Sequence, residues 1–306
     1  MTTKGRSHDL APELAVLSVV VIWSSTWIIM KDALKVFEPT AFMAGRFVLI
    51  SLLAWGVVLW RRRSAPTPLA IARADRGALV IGALTGFTAY QVCSVIALDN
   101  SSVFTLSLLI ALVPLFTMLM QSLRGEAIPV FGWPGLAIAV AGAVLFLADK
   151  RTDGDTVLGV VLSLGAAVAF AVYGLINRRF AGRYPSATLT AWQVAIGTVP
   201  MLAIGLPVLA GQDWSGIPAR VWVGLLFVVI FPVYVAYQLW NYAIRHRGAA
   251  RTASYALLVP VLSGVQAAVA FGEHISLLKA AGAALVIAGL LLIRLDRLPW
   301  AVRASS

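Results

Sequence analysis

Three side chains at the end of the first apolar run share one helical spacing. Trp23, Trp27 and Lys31 stand four residues apart, so in an α-helix they lie one above another on the same face. Indole rings provide flat apolar surfaces against which the apolar part of a small molecule packs. The pattern therefore favours noncovalent recognition of a small molecule by aromatic faces.

Amide, hydroxyl and aromatic side chains recur inside the other apolar runs. Polar groups within a membrane face the interior of the helix bundle, which makes them candidates for a binding site. Aromatic residues near the ends of a run have an alternative role as anchors at the membrane surface. The predicted substrate-binding residues are Trp23, Trp27, Tyr90, Gln91, Ser94, Tyr173, Asn177, Trp192, Gln193, Tyr237, Gln238, Trp240, Asn241 and Tyr255.

Groups that perform catalysis are not placed where a site could form. The 13 Asp and Glu residues and the three His residues all fall in termini, loops or the edges of apolar runs. Glu273-His274 lacks the second histidine of a zinc motif, and no nucleotide-binding or serine-hydrolase motif occurs. We predict no catalytic residue, no metal site and no cofactor. The lack of central acids also favours facilitated diffusion or exchange over proton coupling.

The elements that carry these residues are membrane helices. Hydrophobic residues make up 60% of the 306 residues and charged residues only 12%, against about one quarter in soluble domains. Runs of about 20 apolar residues, enough to cross a ~30 Å hydrocarbon core, follow one another with short connections. We expect ten spans, near 12–30, 40–60, 77–98, 102–122, 130–148, 156–177, 187–210, 219–243, 250–271 and 275–294.

The distribution of positive charge predicts an orientation. Most of the 24 Lys and Arg residues lie on the side of the N-terminus, which the positive-inside rule makes cytoplasmic. With ten spans both termini are then cytoplasmic, in a multi-pass membrane protein. The net charge of +11 is thus explained by topology, and nucleic-acid binding by the Arg61 to Arg76 loop is rejected. The expected partners are the lipid bilayer and a small-molecule substrate, with the oligomeric state open.

The two halves of the chain repeat one pattern. Pro114 recurs 146 residues later as Pro260, and Glu126 recurs 147 residues later as Glu273. This predicts two domains, 1–149 and 150–306, with five spans each. An odd number of spans inverts the second repeat in the membrane, a construction common in secondary transporters. The predicted gating or structural residues are Lys31, Arg46, Pro114, Glu126, Pro260 and Glu273.

Arg46 is the one charge well inside a span. A central arginine is costly in a membrane and needs a partner such as a carboxylate, carbonyl groups or water. Two interpretations remain open for it: a structural role, with the side chain reaching toward the outer interface, or contact with a substrate carboxylate.

Two inverted halves of five spans, with the paired prolines and the Gly-Glu pair that closes spans 4 and 9, resemble the EamA branch of the drug/metabolite transporter superfamily. The Trp-rich first span and the Tyr-Gln pairs at Tyr90 and Tyr237 look most similar to YddG-like aromatic amino acid exporters. The resemblance covers about 14–294. It implies an all-α polytopic fold of ten transmembrane helices in the cell inner membrane, with transport by alternating access.

Three functions are compatible with these observations. The leading hypothesis is export of amino acids, aromatic ones included, because aromatic faces with amide and hydroxyl groups suit a zwitterion. The alternative within transport is efflux of drugs or movement of another small metabolite. A membrane scaffold or an intramembrane enzyme is the remote alternative, against which the inverted duplication argues.

Overall fold

The computed structural model describes residues 10–64, 68–128, 130–149 and 154–295, of which 249–251 and 294–295 by backbone only, and every regular element in them is helical. The first half contains α1 (Ala11–Ala33), α2 (Pro39–Arg62), α3 (Arg76–Ala83), α4 (Tyr90–Asp99), α5 (Val103–Ile110), α6 (Val113–Ser122) and α7 (Gly132–Leu147). The second contains α8 (Val157–Asn177), α9 (Ser186–Gly211), α10 (Ala219–Ile230), α11 (Ala236–Arg247), α12 (Ala249–Tyr255), α13 (Leu258–Phe271) and α14 (Leu277–Leu295).

These helices join into membrane spans. Eight continuous helical stretches in the described chain are long and apolar enough to cross a bilayer, and α7 and α14 are shorter apolar helices. Four of the stretches are compound: α3 with α4, α5 with α6, α10 with α11, and α12 with α13. The protein is therefore an all-α polytopic membrane protein, as the sequence predicts.

Polar side chains fix where several helices begin. The Glu38 carboxylate accepts the Thr40 N–H at 2.9 Å at the start of α2, and Ser102 caps α5 by accepting the Thr105 N–H at 3.1 Å. Thr156 does the same for α8 through the Gly159 N–H at 3.0 Å. Each cap satisfies a backbone donor that the first helical turn leaves free.

The scaffold pair α7 and α14 packs backbone against backbone along four glycines, Gly135, Gly142, Gly282 and Gly289. A Cβ atom added to Gly282 would lie 2.5 Å from the Phe146 nitrogen. Glycine is therefore required for this close approach, the usual basis of tight helix pairing in lipid.

The other helices form a bundle beside the scaffold pair. Helix α2 packs on α9, α4 on α8, and α1 on both α11 and α13. Helix α6 packs on α8, which is the counterpart of the α13 to α1 contact when the two repeats are exchanged. Equivalent helix pairs therefore occur when the first and second repeats are exchanged, as expected for a duplicated chain.

Candidate functional site

A cavity of about 570 Å³ lies in the middle of the bundle. All of the spans except α7 and α14 contribute to its wall, which identifies the scaffold pair as remote from it. The volume falls in the range of small-molecule sites. We call this space the central cavity.

Helix α2 lines the central cavity along its whole length. Its lining residues, Arg46, Phe47, Ile50, Ala54, Val57 and Arg61, occupy one helical face. Arg46 is only 4% exposed, whereas Arg61 near the end of α2 is exposed. The rise of 1.5 Å per residue separates the two arginines by roughly 22 Å along the helix. The cavity is therefore open at the Arg61 end and closed at the Arg46 end.

Two π-helical segments shape the cavity wall. Leu84–Ala89 joins α3 to α4, and Phe231–Val235 joins α10 to α11 at the equivalent place in the second repeat. Gly86 lies so close to Tyr173 that an added Cβ would be 2.2 Å from its ring. The Pro232 carbonyl accepts the Trp23 indole N–H at 3.3 Å. Such bulges are frequent at functional sites because they turn side chains and carbonyls out of α-helical register.

The prolines predicted for spans 4 and 9 stand just after breaks in those spans. Helix α5 ends at Ile110 and α6 begins at Val113, with Pro114 in its first turn. The break between α12 and α13 precedes Pro260 in the same way. Both prolines line the central cavity, where the backbone groups released by a break can be satisfied by water or by a bound molecule.

Two aromatic groups form much of the remaining wall. Tyr90, Phe170 and Tyr173 follow one another with ring centroids 4.8 and 5.3 Å apart. In the second group, the ring centroids of Trp23 and Tyr237 are 6.3 Å apart. These rings present flat apolar surfaces to the space between them.

Most of the predicted binding residues meet at this cavity. Its wall includes Trp23, Trp27, Tyr90, Gln91, Tyr173, Tyr237, Gln238 and Asn241, together with Arg46, Pro114 and Pro260.

The other candidates lie outside the wall. Trp240 packs behind Trp23 at 5.1 Å, and Ser94 bonds to the Tyr90 carbonyl at 2.7 Å. Gln193 donates to Asn177 at 2.8 Å. Trp192 donates to the Leu69 carbonyl at 2.9 Å beside a separate hollow, and Tyr255 in α12 does not reach the wall.

Several cavity residues are absent from the sequence-based selection. Phe87 and Phe170 each stand three residues before a selected tyrosine, a spacing that places them on the same helical face and could have identified them. Arg61 lines the open end of the cavity. In the sequence it stands at the end of a span, where it is counted among the Lys and Arg residues that predict the orientation. Ser107 and Thr190 also line the wall.

A network of polar contacts covers the closed end. The Lys31 ammonium donates to the Leu98 and Ser101 carbonyls at 2.6 and 2.8 Å, joining the end of α1 to the end of α4. The Glu273 carboxylate accepts the Val103 N–H at 3.0 Å, joining the end of α13 to the start of α5. We call Lys31, Glu273, Asp155 and Lys279 the closing cluster.

Asp155 holds the third connection of the closing cluster. Its carboxylate accepts from Lys279 at 2.6 Å, from the Ser102 N–H at 2.8 Å and from the Thr105 hydroxyl at 2.7 Å. Burial alone would raise the pKa of this carboxyl group, but the hydrogen bonds from Lys279, Ser102 and Thr105 outweigh it and hold the pKa below its usual value. The group therefore stays ionised and ties α14, α5 and the connection before α8 together.

The repeat counterpart of Glu273 makes different contacts at the open end. Glu126 accepts from Gln121 at 2.7 Å and lies 3.5 Å from Arg178. In contrast to Glu273, it is bonded to its own span and to the end of α8. The two ends of the bundle thus differ although the sequence repeats.

Comparisons with known proteins agree with this architecture. The chain is 28% identical to an "uncharacterized transporter" of Archaeoglobus fulgidus over 89% of this chain and 93% of that protein. It is 24% identical to the "uncharacterized inner membrane transporter YedA" of Escherichia coli, over 92% and 90%. A "probable terminal-alkyne amino-acid exporter" of Streptantibioticus cattleyicolor is 27% identical over 91% and 92%.

A solved crystal structure that is 23% identical matches 92% of the chain with a TM-score of 0.60 and shows the fold alone. The relatives indicate a multi-pass inner-membrane transporter of small molecules rather than an enzyme. The model of the EamA-like transporter family matches residues 10–148 and 157–295, one match in each half of the chain. The chain belongs to the EamA-like transporter family.

Proposed function

We propose that the protein exports amino acids, aromatic ones included, by alternating access of the central cavity to the two sides of the membrane. The observation that carries the proposal is a cavity between the repeats that is open at the Arg61 end and closed by polar contacts at the other. A secondary transporter with a central site is expected to have this form in one of its two states.

The wall of the cavity supports amino acids as the substrate class. Aromatic rings on both sides accept apolar side chains of different shapes, and Gln91, Gln238 and Asn241 offer amide groups for the polar end of the molecule. The relative named as a probable amino-acid exporter is similar to this chain over nearly the whole length of both proteins. Drugs or other small metabolites are the alternative substrate classes.

The open end is assigned to the cytoplasm by the excess of Lys and Arg on that side. The structure then corresponds to the state that loads substrate from inside the cell. The π-helical segments and the breaks before Pro114 and Pro260 supply places where spans can bend.

To test the orientation, cysteines introduced in a Cys93→Ala background are labelled in intact cells. A cysteine at Gln212 should react from outside, and one at Ser64 only after permeabilisation; the reverse result would overturn the assignment.

The cavity supports transport without a proton relay. None of the described residues that line it is an Asp, Glu or His. Proton-coupled transporters usually place such groups on the substrate path. Facilitated diffusion or exchange is therefore the mechanism that we propose.

Counterflow in proteoliposomes that contain only this protein tests the function. Liposomes loaded with unlabelled phenylalanine should accumulate labelled phenylalanine transiently, and a panel of aromatic, aliphatic, basic and acidic amino acids should compete to different extents. Counterflow of a cationic drug or a sugar phosphate with no response to any amino acid would overturn the proposal.

A further inference from the structure

Arg46 is a buried cation with little inside the protein to bind. Its side chain is 4% exposed and lies at the closed end of the central cavity. One terminal nitrogen is 3.4 Å from the Met30 sulfur and 3.4 Å from the Gln91 amide oxygen. The Nε atom has no hydrogen-bond partner. The guanidinium carbon also lies 5.5 Å from the centroid of the Phe47 ring. Two long hydrogen-bond contacts and one aromatic face, all from neutral groups, leave most of the five N–H donors without a hydrogen bond.

The protein does not supply a counter-charge for this group. Arg46 takes part in no ion pair with a carboxylate in the described part of the chain, and no Asp or Glu there lines the cavity. Burying an unpaired charge is costly, and buried arginines in membranes normally meet an anion or polar cavity. With its small exposed fraction, the side chain does not reach either membrane surface. Because Arg46 lines the central cavity, an anion that enters the cavity can reach it.

The geometry of the neighbours selects a carboxylate. A guanidinium presents parallel donors that match the two oxygens of a carboxylate. Because the Gln91 oxygen faces Arg46, its NH₂ group is the remaining donor of that amide and can bind the same anion. Trp27 and Met30 stand next to this place on the wall contributed by α1, so an apolar part of the same molecule can pack there.

The second repeat does not duplicate this group. The residue that corresponds to Arg46 is Trp192, which lies outside the cavity wall and donates its N–H to the Leu69 carbonyl. A carboxylate can therefore be bound at Arg46, and the repeated architecture does not supply a second arginine at Trp192.

We infer that Arg46 and Gln91 form a subsite for the carboxylate of the transported molecule. This inference rests on the proposed function, and it narrows the substrate class to molecules with a free carboxylate. Since no cavity acid faces an ammonium group, the free carboxylate is the required element and the amine is not. Carboxylates with an aromatic group should bind with or without an α-amine, and the corresponding carboxamides should bind more weakly.

Ligand binding to the detergent-purified protein tests the subsite independently of transport. Affinities are measured by titration for two pairs, phenylalanine against phenylalaninamide and 3-phenylpropionate against 3-phenylpropionamide. The unaltered protein should prefer each carboxylate by about ten- to a hundredfold, the ratio that a charge-assisted hydrogen bond gives. Arg46→Met should remove the preference, and Arg62→Met, at an exposed arginine of the same helix that does not line the cavity, should keep it.

Several results of these titrations would overturn the inference. Equal affinity for acid and amide in the unaltered protein, or no binding of either carboxylate, overturns the inference, as does a preference that survives Arg46→Met. If Arg46→Met does not fold, Gln91→Leu decides, because it removes one donor from the subsite and should reduce the preference for each carboxylate severalfold. Carboxylate binding without amino-acid counterflow would support the subsite and reject the proposed function.

Discussion

Replacing Glu273 with alanine should open the closed end of the central cavity. In the structure the Glu273 carboxylate accepts the Val103 N–H at 3.0 Å and thereby joins the end of α13 to the start of α5. The alanine variant loses this contact without changing the cavity wall. The change therefore acts on the balance between the two states and leaves the binding surface intact.

The size of the effect follows from the type of contact. A hydrogen bond to a charged group contributes about 1.5–3 kcal/mol, and 1.4 kcal/mol corresponds to a factor of ten. If the contact exists only while this end is closed, its loss raises the equilibrium constant for opening this end about ten- to a hundredfold. A state populated at about 1% would then rise to about 10–50%.

The assay measures access to the deep part of the cavity. Ser107, which is 3% exposed and lines the cavity, is changed to cysteine in a Cys93→Ala background. A membrane-impermeant maleimide is applied from the side of the closed end, and its reaction rate should rise at least tenfold in Glu273→Ala. The control is Glu126→Ala, which removes the equivalent carboxylate at the open end and should not raise the rate. Unchanged labelling in Glu273→Ala would refute the assignment of this contact as a closure.

Four further changes have defined outcomes. Because the pKa of Asp155 is held below its usual value near 3.9, its ion pair should stabilise the protein fully above about pH 5, so the difference in unfolding temperature from Asp155→Asn should shrink as the pH falls below about 4. Gly282→Ala should destabilise the protein in thermal unfolding by about 1–3 kcal/mol, whereas Gly56→Ala, which meets nothing within 4 Å, should not. Trp27→Ala should weaken phenylalanine counterflow about three- to tenfold more than threonine counterflow at matched expression, and Trp133→Ala, on the exposed face of α7, should change neither selectively. A protonophore should leave counterflow of a neutral amino acid unchanged; loss of uphill accumulation driven by a proton gradient would show coupling instead.

The fold is readable from the sequence where the signal is long and repeated. An apolar run of 20 residues has few alternatives, and the recurrence of Pro114 as Pro260 and of Glu126 as Glu273 identifies a duplicated architecture. The glycines of α7 and α14 also indicate close packing before any coordinates are known. These signals depend only on composition and spacing along one element.

The arrangement of the cavity depends on features that spacing along an ideal helix does not carry. The π-helical segments shift the helical face of every residue that follows, so a 3.6-residue period counted from the start of α3 or α10 does not carry through to α4 or α11. Trp192 turns away because residue Leu69, from the connection after α2, accepts its N–H. The contact of Lys31 with the end of α4 likewise joins distant parts of the chain, which a single sequence does not reveal.

The paired π-helical segments also make the cavity sensitive to changes in chain length. A π-bulge is one residue more than an α-helix needs, and each residue of an α-helix turns the chain by about 100°. Deleting one residue within Leu84–Ala89 would restore a regular helix and rotate Tyr90 and Gln91 relative to α3, away from their present place on the wall. The same holds for the residues after Phe231–Val235. Loss of a single codon can therefore exchange one wall of the site for a neighbouring helical face without disturbing the scaffold pair, which gives substrate preference a route of evolutionary change distinct from substitution.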